Sequence, residues 1–163
     1  MKSEKGCGIG AEFPHSHLLE LLFIGFFASA WLLDMLVFQL YVKHDILLLN
    51  VFQITSFLSF LTIAVIIIKK SWLVVKPEVY DSERLIREGV YRYLRHPMYF
   101  GILLIYFSFV LLTLSFTLFM AWLIIFLGMN MMANYEEEKL VEIFGKDYEN
   151  YRDQVSKWFP ISI

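Results

Sequence analysis

Residues 89–101 read Gly89-Val90-Tyr91-Arg92-Tyr93-Leu94-Arg95-His96-Pro97-Met98-Tyr99-Phe100-Gly101. The stretch sets polar, aromatic and cationic side chains at the head of an apolar block, residues 98–133, that holds no charge over 36 residues. Pro97 suits the first turn of a helix, where its missing N–H would have had no partner. One crossing of a bilayer core takes about 20 residues at roughly 1.5 Å rise per residue. The block is too long for one crossing and fits two short ones joined by a tight turn. The break is expected at Thr113-Leu114-Ser115-Phe116-Thr117, where hydroxyl residues cluster without a Gly or Pro.

Two further runs lie upstream. Residues 18–42 carry only Glu20 and Asp34 as charges, and residues 46–68 carry none. With 58% hydrophobic side chains and a mean hydropathy of +0.60, the 163-residue chain is no ordinary soluble domain. The expected fold class is all-α: a polytopic membrane protein of about four transmembrane helices, the second pair forming a C-terminal helical hairpin. The first run is too long for a secretory signal and lacks an obvious cleavage site. The single cysteine, Cys7, allows no intrachain disulfide, and a net charge of −2 says little about partners.

Basic residues orient the bundle. Lys69, Lys70, Lys76, Arg84, Arg87, Arg92 and Arg95 fill the segment 69–95, and Lys139, Lys146, Arg152 and Lys157 follow the last span, whereas the turn at 43–45 has only Lys43. The positive-inside bias then puts both termini and the 69–97 loop on the cytoplasmic side. Along the chain we expect a loose segment at 1–17, two spans within 18–69, and a core at 70–163 that contains the hairpin 98–135. Lys69-Lys70-Ser71-Trp72 reads as the end of the second span, and Lys76-Pro77 interrupts any helix. Asp81–Glu88 reads as a short surface helix or turn closed by Gly89. The last span is expected to begin near Leu118 and to run beyond the membrane through Glu136–Phe144 until Gly145 stops it. A Tyr- and Trp-rich tail at 147–160 looks interfacial.

Two clusters carry chemistry. With Pro97 opening a helix, the N–H groups of residues 98–100 are expected to be free, and the positive end of the helix dipole would favour a carboxylate or phosphate. Arg95 and His96 add donors, Gly101 admits close approach by a backbone or a ligand, and Tyr91, Tyr93 and Tyr99 offer flat surfaces suited to a purine. The same residues also suit a headgroup anchor. In the second cluster Asn130, Asn134 and Glu137 share a helix face, beside Glu136 and Glu138. Polar groups at the end of a span point to function, although the three glutamates could simply solvate the emerging helix. Asp34, in the first span, is expected to face the bundle or to be protonated, with Gln39 near it. His15-Ser16-His17 is not read as a metal site.

Taken together, Gly89-x-Tyr91-x3-Arg95-His96-Pro97-x-Tyr99-x-Gly101 and Glu136-Glu137-x2-Leu140-x3-Phe144-Gly145-x2-Tyr148-x2-Tyr151 resemble the isoprenylcysteine carboxyl methyltransferases and the related phospholipid methyltransferases. The resemblance covers roughly residues 85–160 and none of the first two spans. It implies a membrane-embedded methyltransferase with S-adenosylmethionine in a cytoplasmic pocket and a lipophilic or small acceptor entering from the bilayer. Carried over by position, Tyr91, Leu94, Arg95, His96, Pro97, Tyr99 and Gly101 line the cofactor pocket, with Glu136 and Glu137 closing it. Glu137, Asn134 and Asn130 are the residues expected at the reacting end. The partners implied are the acceptor and membrane lipids, not nucleic acid. One departure stands out: relatives acting on carboxylates often carry an arginine one turn before the glutamate pair, where this chain has Met132 and no basic residue between 102 and 138. Two rival readings remain at this level: an NADPH-dependent membrane reductase with a similar loop, and a non-catalytic membrane scaffold.

Overall fold

The computed structural model describes residues 13–37, 47–75 and 85–159. These form α1 (Ser16–Val37), α2 (Leu47–Val75), a 3-10 helical turn (Gly89–Arg92), α3 (Pro97–Thr113), α4 (Phe116–Phe144) and α5 (Lys146–Gln154), with no strand among the described residues. The all-helical expectation holds. Of the apolar helices, α1, α2 and α4 are long enough to cross a membrane. The 17 residues of α3 reach only about 25 Å, against a hydrocarbon core of about 30 Å.

The hydroxyl run ends α3 and starts α4. Thr113 Oγ1 donates back to the Phe109 carbonyl at 3.1 Å, and Leu114 turns left-handed (φ 49°, ψ 32°) with its N–H on the Val110 carbonyl. Ser115 is then extended, and its Oγ accepts from the Leu118 N–H. The helix therefore begins at Phe116, two residues ahead of the expected Leu118. Ser115 Oγ also donates to Asp34 Oδ1 at 2.5 Å, which turns the buried Asp34 into the bundle as expected.

Side-chain size sets the packing order. α3 lies chiefly against α2, while α4 touches both α1 and α3. At the α2–α3 contact a Cβ on Gly101 would sit 2.5 Å from Ile68 Cγ1 and 3.3 Å from the Ala64 carbonyl. The close approach expected at this glycine is therefore made by another helix. Phe27, Leu103, Tyr106, Leu118, Ile125 and Met129 form the core between α1, α3 and α4. Leu21, Leu36, Phe52 and Leu58 are exposed on the outer faces of α1 and α2, where lipid chains would cover them.

The second helix runs past Lys69 and Lys70 to Val75, with the buried Ser71 bonded to the Ile67 carbonyl. One local expectation, at Gly89, needs correction. Residues 85–88 are not helical, and Gly89 (φ 60°) opens the 3-10 turn instead of closing a helix. Gly145 does stop α4, at a backbone geometry (φ 55°, ψ −128°) open to glycine and strained for other residues. The chain beyond it forms the helix α5, with Asp147 and Glu149 in the first turn and Arg152 in the last, as the helix dipole favours. Cys7, Gln39, Lys43, Lys76-Pro77 and residues 81–84 lie outside the described residues.

Candidate active site

The site lies at one end of the bundle, where three segments meet. The Tyr151 hydroxyl of α5 donates to the Tyr91 carbonyl in the 3-10 turn at 2.5 Å. Arg87 Nη2 reaches the Asp147 carbonyl at 2.6 Å, and the Arg95 N–H bonds the Ser156 carbonyl at 3.0 Å. These bonds fasten the loop before α3 to the chain after α4, so that Arg95, His96 and the polar end of α4 face one another.

At the centre His96 Nε2 lies 3.0 Å from Glu137 Oε1, a geometry in which the imidazole N–H donates to the carboxylate. Arg95 Nη1 approaches Glu137 Oε2 at 3.4 Å. The Tyr99 hydroxyl donates to Glu136 Oε1, and Glu136 Oε2 lies 3.6 Å from His96 Nδ1. The Tyr99 ring stacks on His96 with 5.8 Å between centroids and 9° between planes. Burial pushes the His96 pKa below its usual 6.5, and the Glu137 carboxylate only partly opposes this. The imidazole is accordingly neutral at physiological pH. Arg95 Nε and Nη1 are buried without a hydrogen-bond partner.

The structure thus brings together Arg95, His96, Tyr99, Glu136 and Glu137 from the two motif halves. Pro97 occupies the first turn of α3, and Leu94, just before the Arg95-His96 pair, is buried. Other expected features differ. The Phe100 N–H is bonded to the His96 carbonyl, which removes one of the three donors expected to be free at the start of α3. Tyr93 is 61% exposed and turned away from the cluster's buried interior. Asn130 and Asn134 do lie toward the site, but their side-chain oxygens are engaged: Trp158 Nε1 donates to Asn130 Oδ1 at 2.9 Å, and Lys157 Nζ donates to Asn134 Oδ1.

Lys157 and Trp158 are the site residues that sequence reasoning missed. Lys157 Nζ also stands 3.5 Å from Glu137 Oε1, with its side chain only 15% exposed. Burial lowers its pKa, with Glu137 pulling the other way and Arg95 adding to the fall. Trp158 packs against Phe126 and approaches the His96 ring. The only sequence signal was the aromatic pair Trp158-Phe159, which reads equally well as an interfacial anchor. Apart from the polar cluster, a cavity of about 450 Å³ runs between α1 and α3 over Met129 of α4, with Ile24, Trp31, Ile102 and Tyr106 in its wall and Glu20 as its charged residue.

Apolar helices of spanning length, closed at one end by a buried carboxylate–imidazole–guanidinium cluster, define a membrane-type protein with an enzyme-like site. The chain belongs to the phospholipid methyltransferase family, a family of methyl-transferring enzymes, whose pattern matches residues 46–147. The match agrees with the resemblance carried by residues 89–101 and 136–151. Among similar proteins, a methanethiol S-methyltransferase of Crocosphaera subtropica is 26% identical over 141 residues, covering 86% of this chain and 47% of that protein. A probable protein-S-isoprenylcysteine O-methyltransferase of Oryza sativa subsp. indica is 31% identical over 88 residues, covering 53% of this chain and 46% of that one. A methanethiol S-methyltransferase of Pseudomonas deceptionensis is 34% identical over 71 residues, 44% of this chain and 26% of the relative. The chain spans at most about half the length of these relatives. No solved structure matches it.

Proposed function

We propose that this chain is an integral membrane methyltransferase that uses S-adenosylmethionine to methylate a lipophilic or small acceptor at the cytoplasmic face. The observation that carries the reading is the 3.0 Å contact between His96 and Glu137, which joins the two motif halves into one buried site. The residues present fit the cofactor. Arg95 Nε is buried without a hydrogen-bond partner, a donor that suits a carboxylate. Glu136 and Glu137 supply the negative charge that an ammonium and a sulfonium require.

S-adenosylmethionine, when bound, supplies a methyl group on a positively charged sulfur. The work of the protein is then positional. Arg95, His96, Tyr99 and the glutamates orient the donor, and burial excludes competing water. The acceptor's lone pair forms the new bond to the methyl carbon while the carbon–sulfur bond breaks, its electron pair going to sulfur. The cavity walled by α1 and α3 suits the apolar part of an acceptor, and the basic residues flanking the site support its cytoplasmic placement. In this reading residues 70–163 hold the donor, and the helices within 18–69 complete the bundle around it.

Titration of the purified protein with S-adenosylhomocysteine and, separately, with NADPH tests the assignment. Saturable binding of S-adenosylhomocysteine is expected. NADPH binding with no response to S-adenosylhomocysteine would point to a reductase instead.

A further inference from the structure

Helix α4 carries no cation between Phe116 and Glu138, and the place one turn before the glutamate pair is held by Met132, which is 2% exposed in the core. Yet the structure puts a cation beside this face. Lys157 arrives from the segment after α5, donates to Asn134 Oδ1 and stands 3.5 Å from Glu137 Oε1. Asn134 lies three residues before Glu137, on the same face of α4. The lysine is held from both sides in the chain: Ser156 takes the Arg95 N–H at 3.0 Å, and Trp158 Nε1 donates to Asn130 Oδ1 at 2.9 Å.

From this placement, and resting on the methyltransferase reading, we infer that Lys157 is the acceptor-positioning residue, and that it selects acceptors reacting as anions, thiolates or carboxylates. The charges support this. Arg95 and Lys157 balance Glu136 and Glu137, and His96 is neutral, so the cluster sums to zero. A donor with one excess positive charge leaves room for a single anionic nucleophile, whereas a cationic ammonium would raise the sum to two positive charges and has no lone pair to give until it loses a proton. An acceptor entering as an anion needs no base. Its electron pair forms the bond to the methyl carbon, the carbon–sulfur bond breaks toward sulfur, and both products leave that centre uncharged. Ion pairing with an ammonium also favours the thiolate over the thiol.

The test compares the wild type with K157M, K157R and N134L, using a short alkanethiol, an N-acyl S-alkylcysteine and a primary-amine lipid as acceptors. S-adenosylhomocysteine affinity is measured alongside, as is equilibrium binding of the acceptor to the S-adenosylhomocysteine complex. K157M is expected to raise KM for the thiol or the carboxylate by about tenfold or more, with kcat changed by less than about threefold, and to weaken acceptor binding in parallel. K157R restores most of the loss. N134L keeps the cation but removes the oxygen that fixes it, so it raises KM by a smaller factor and serves as the test if K157M folds poorly. The thiol and carboxylate arms tell the two anion sources apart. Unchanged KM and acceptor binding in K157M overturns the inference, and so does methylation confined to the amine lipid. Loss of S-adenosylhomocysteine affinity in K157M also overturns it, by making Lys157 a donor-site residue. Failure of the wild type to bind S-adenosylhomocysteine overturns the methyltransferase reading itself.

Discussion

His96 and Glu137 lie 41 residues apart in the chain and meet at 3.0 Å, so that one contact ties the start of α3 to the emerging end of α4. Around it Arg95 and Lys157 approach the same carboxylate at 3.4 and 3.5 Å. Glu137→Gln would keep the shape but leave two partly buried cations without their common counter-charge. Breaking a fully buried pair costs about 3–5 kcal/mol, and the partial exposure of these two cations makes the loss smaller here. We expect the variant to lose thermal stability and to bind S-adenosylhomocysteine at least about tenfold more weakly, by calorimetric titration. Undiminished affinity would remove Glu137 from the donor site.

The depressed pKa of His96 gives a stability change of defined sign. The unfolded chain takes up a proton near pH 6.5, whereas the buried imidazole resists it until lower pH. The unfolded state therefore binds more protons in that window, and stability rises with pH. The contribution is complete above 6.5 and is lost as the pH falls through the lower folded value. Melting curves in detergent at about pH 7.5 and about pH 5.5 should show a drop that His96→Gln reduces. An unchanged drop in the variant would assign the effect to other groups.

Trp158→Phe keeps the ring contacts with Phe126 and His96 but removes the donor to Asn130. The lost bond is worth on the order of 1 kcal/mol, more if the amide oxygen stays buried. Hydrogen exchange at residues 155–159 should quicken while exchange in α3 and α4 stays as it was. Equal acceleration throughout would mean a global rather than a local effect.

Gly101→Ala brings a methyl group to 2.5 Å from Ile68 Cγ1. Overpacking of this kind costs about 1–3 kcal/mol, so a lower melting temperature is expected, with Ile68→Ala restoring part of it in the double variant. Absence of any rescue would show that the α2–α3 contact adjusts by another route.

Ser115→Ala removes two bonds at once, the N-cap to Leu118 and the donor to the buried Asp34. The cap contributes roughly 1 kcal/mol, and the stranded carboxyl adds to the loss. The prediction is a destabilisation clearly larger than that of Thr117→Ala in the same helix turn, measured by thermal melts. Equal effects would remove the Asp34 contact from the balance.

Much of this molecule can be read along the chain. Unbroken apolar runs must become helices wherever water is absent, because only a helix satisfies each segment's own N–H and C=O groups. Pro97 and Gly145 mark helix ends by covalent geometry, so both boundaries were legible. The spacing of Arg95, His96 and Tyr99 against Glu136 and Glu137 pointed to one shared site, and the helix ends brought them together.

What remained hidden depends on contacts between distant segments. Nothing local to Gly101 tells whether a ligand or Ile68 fills the space above it. Asn130 and Asn134 look like open ligands until Trp158 and Lys157 are folded onto them. The amino-acid sequence by itself determined the helices, the polar ends and the family, since these follow from hydropathy, backbone chemistry and motif spacing. Only the tertiary structure decided which cation serves the face of α4. Lys157 reaches that face because α5 turns the chain back across the bundle end, and no periodicity within a single segment records such a return.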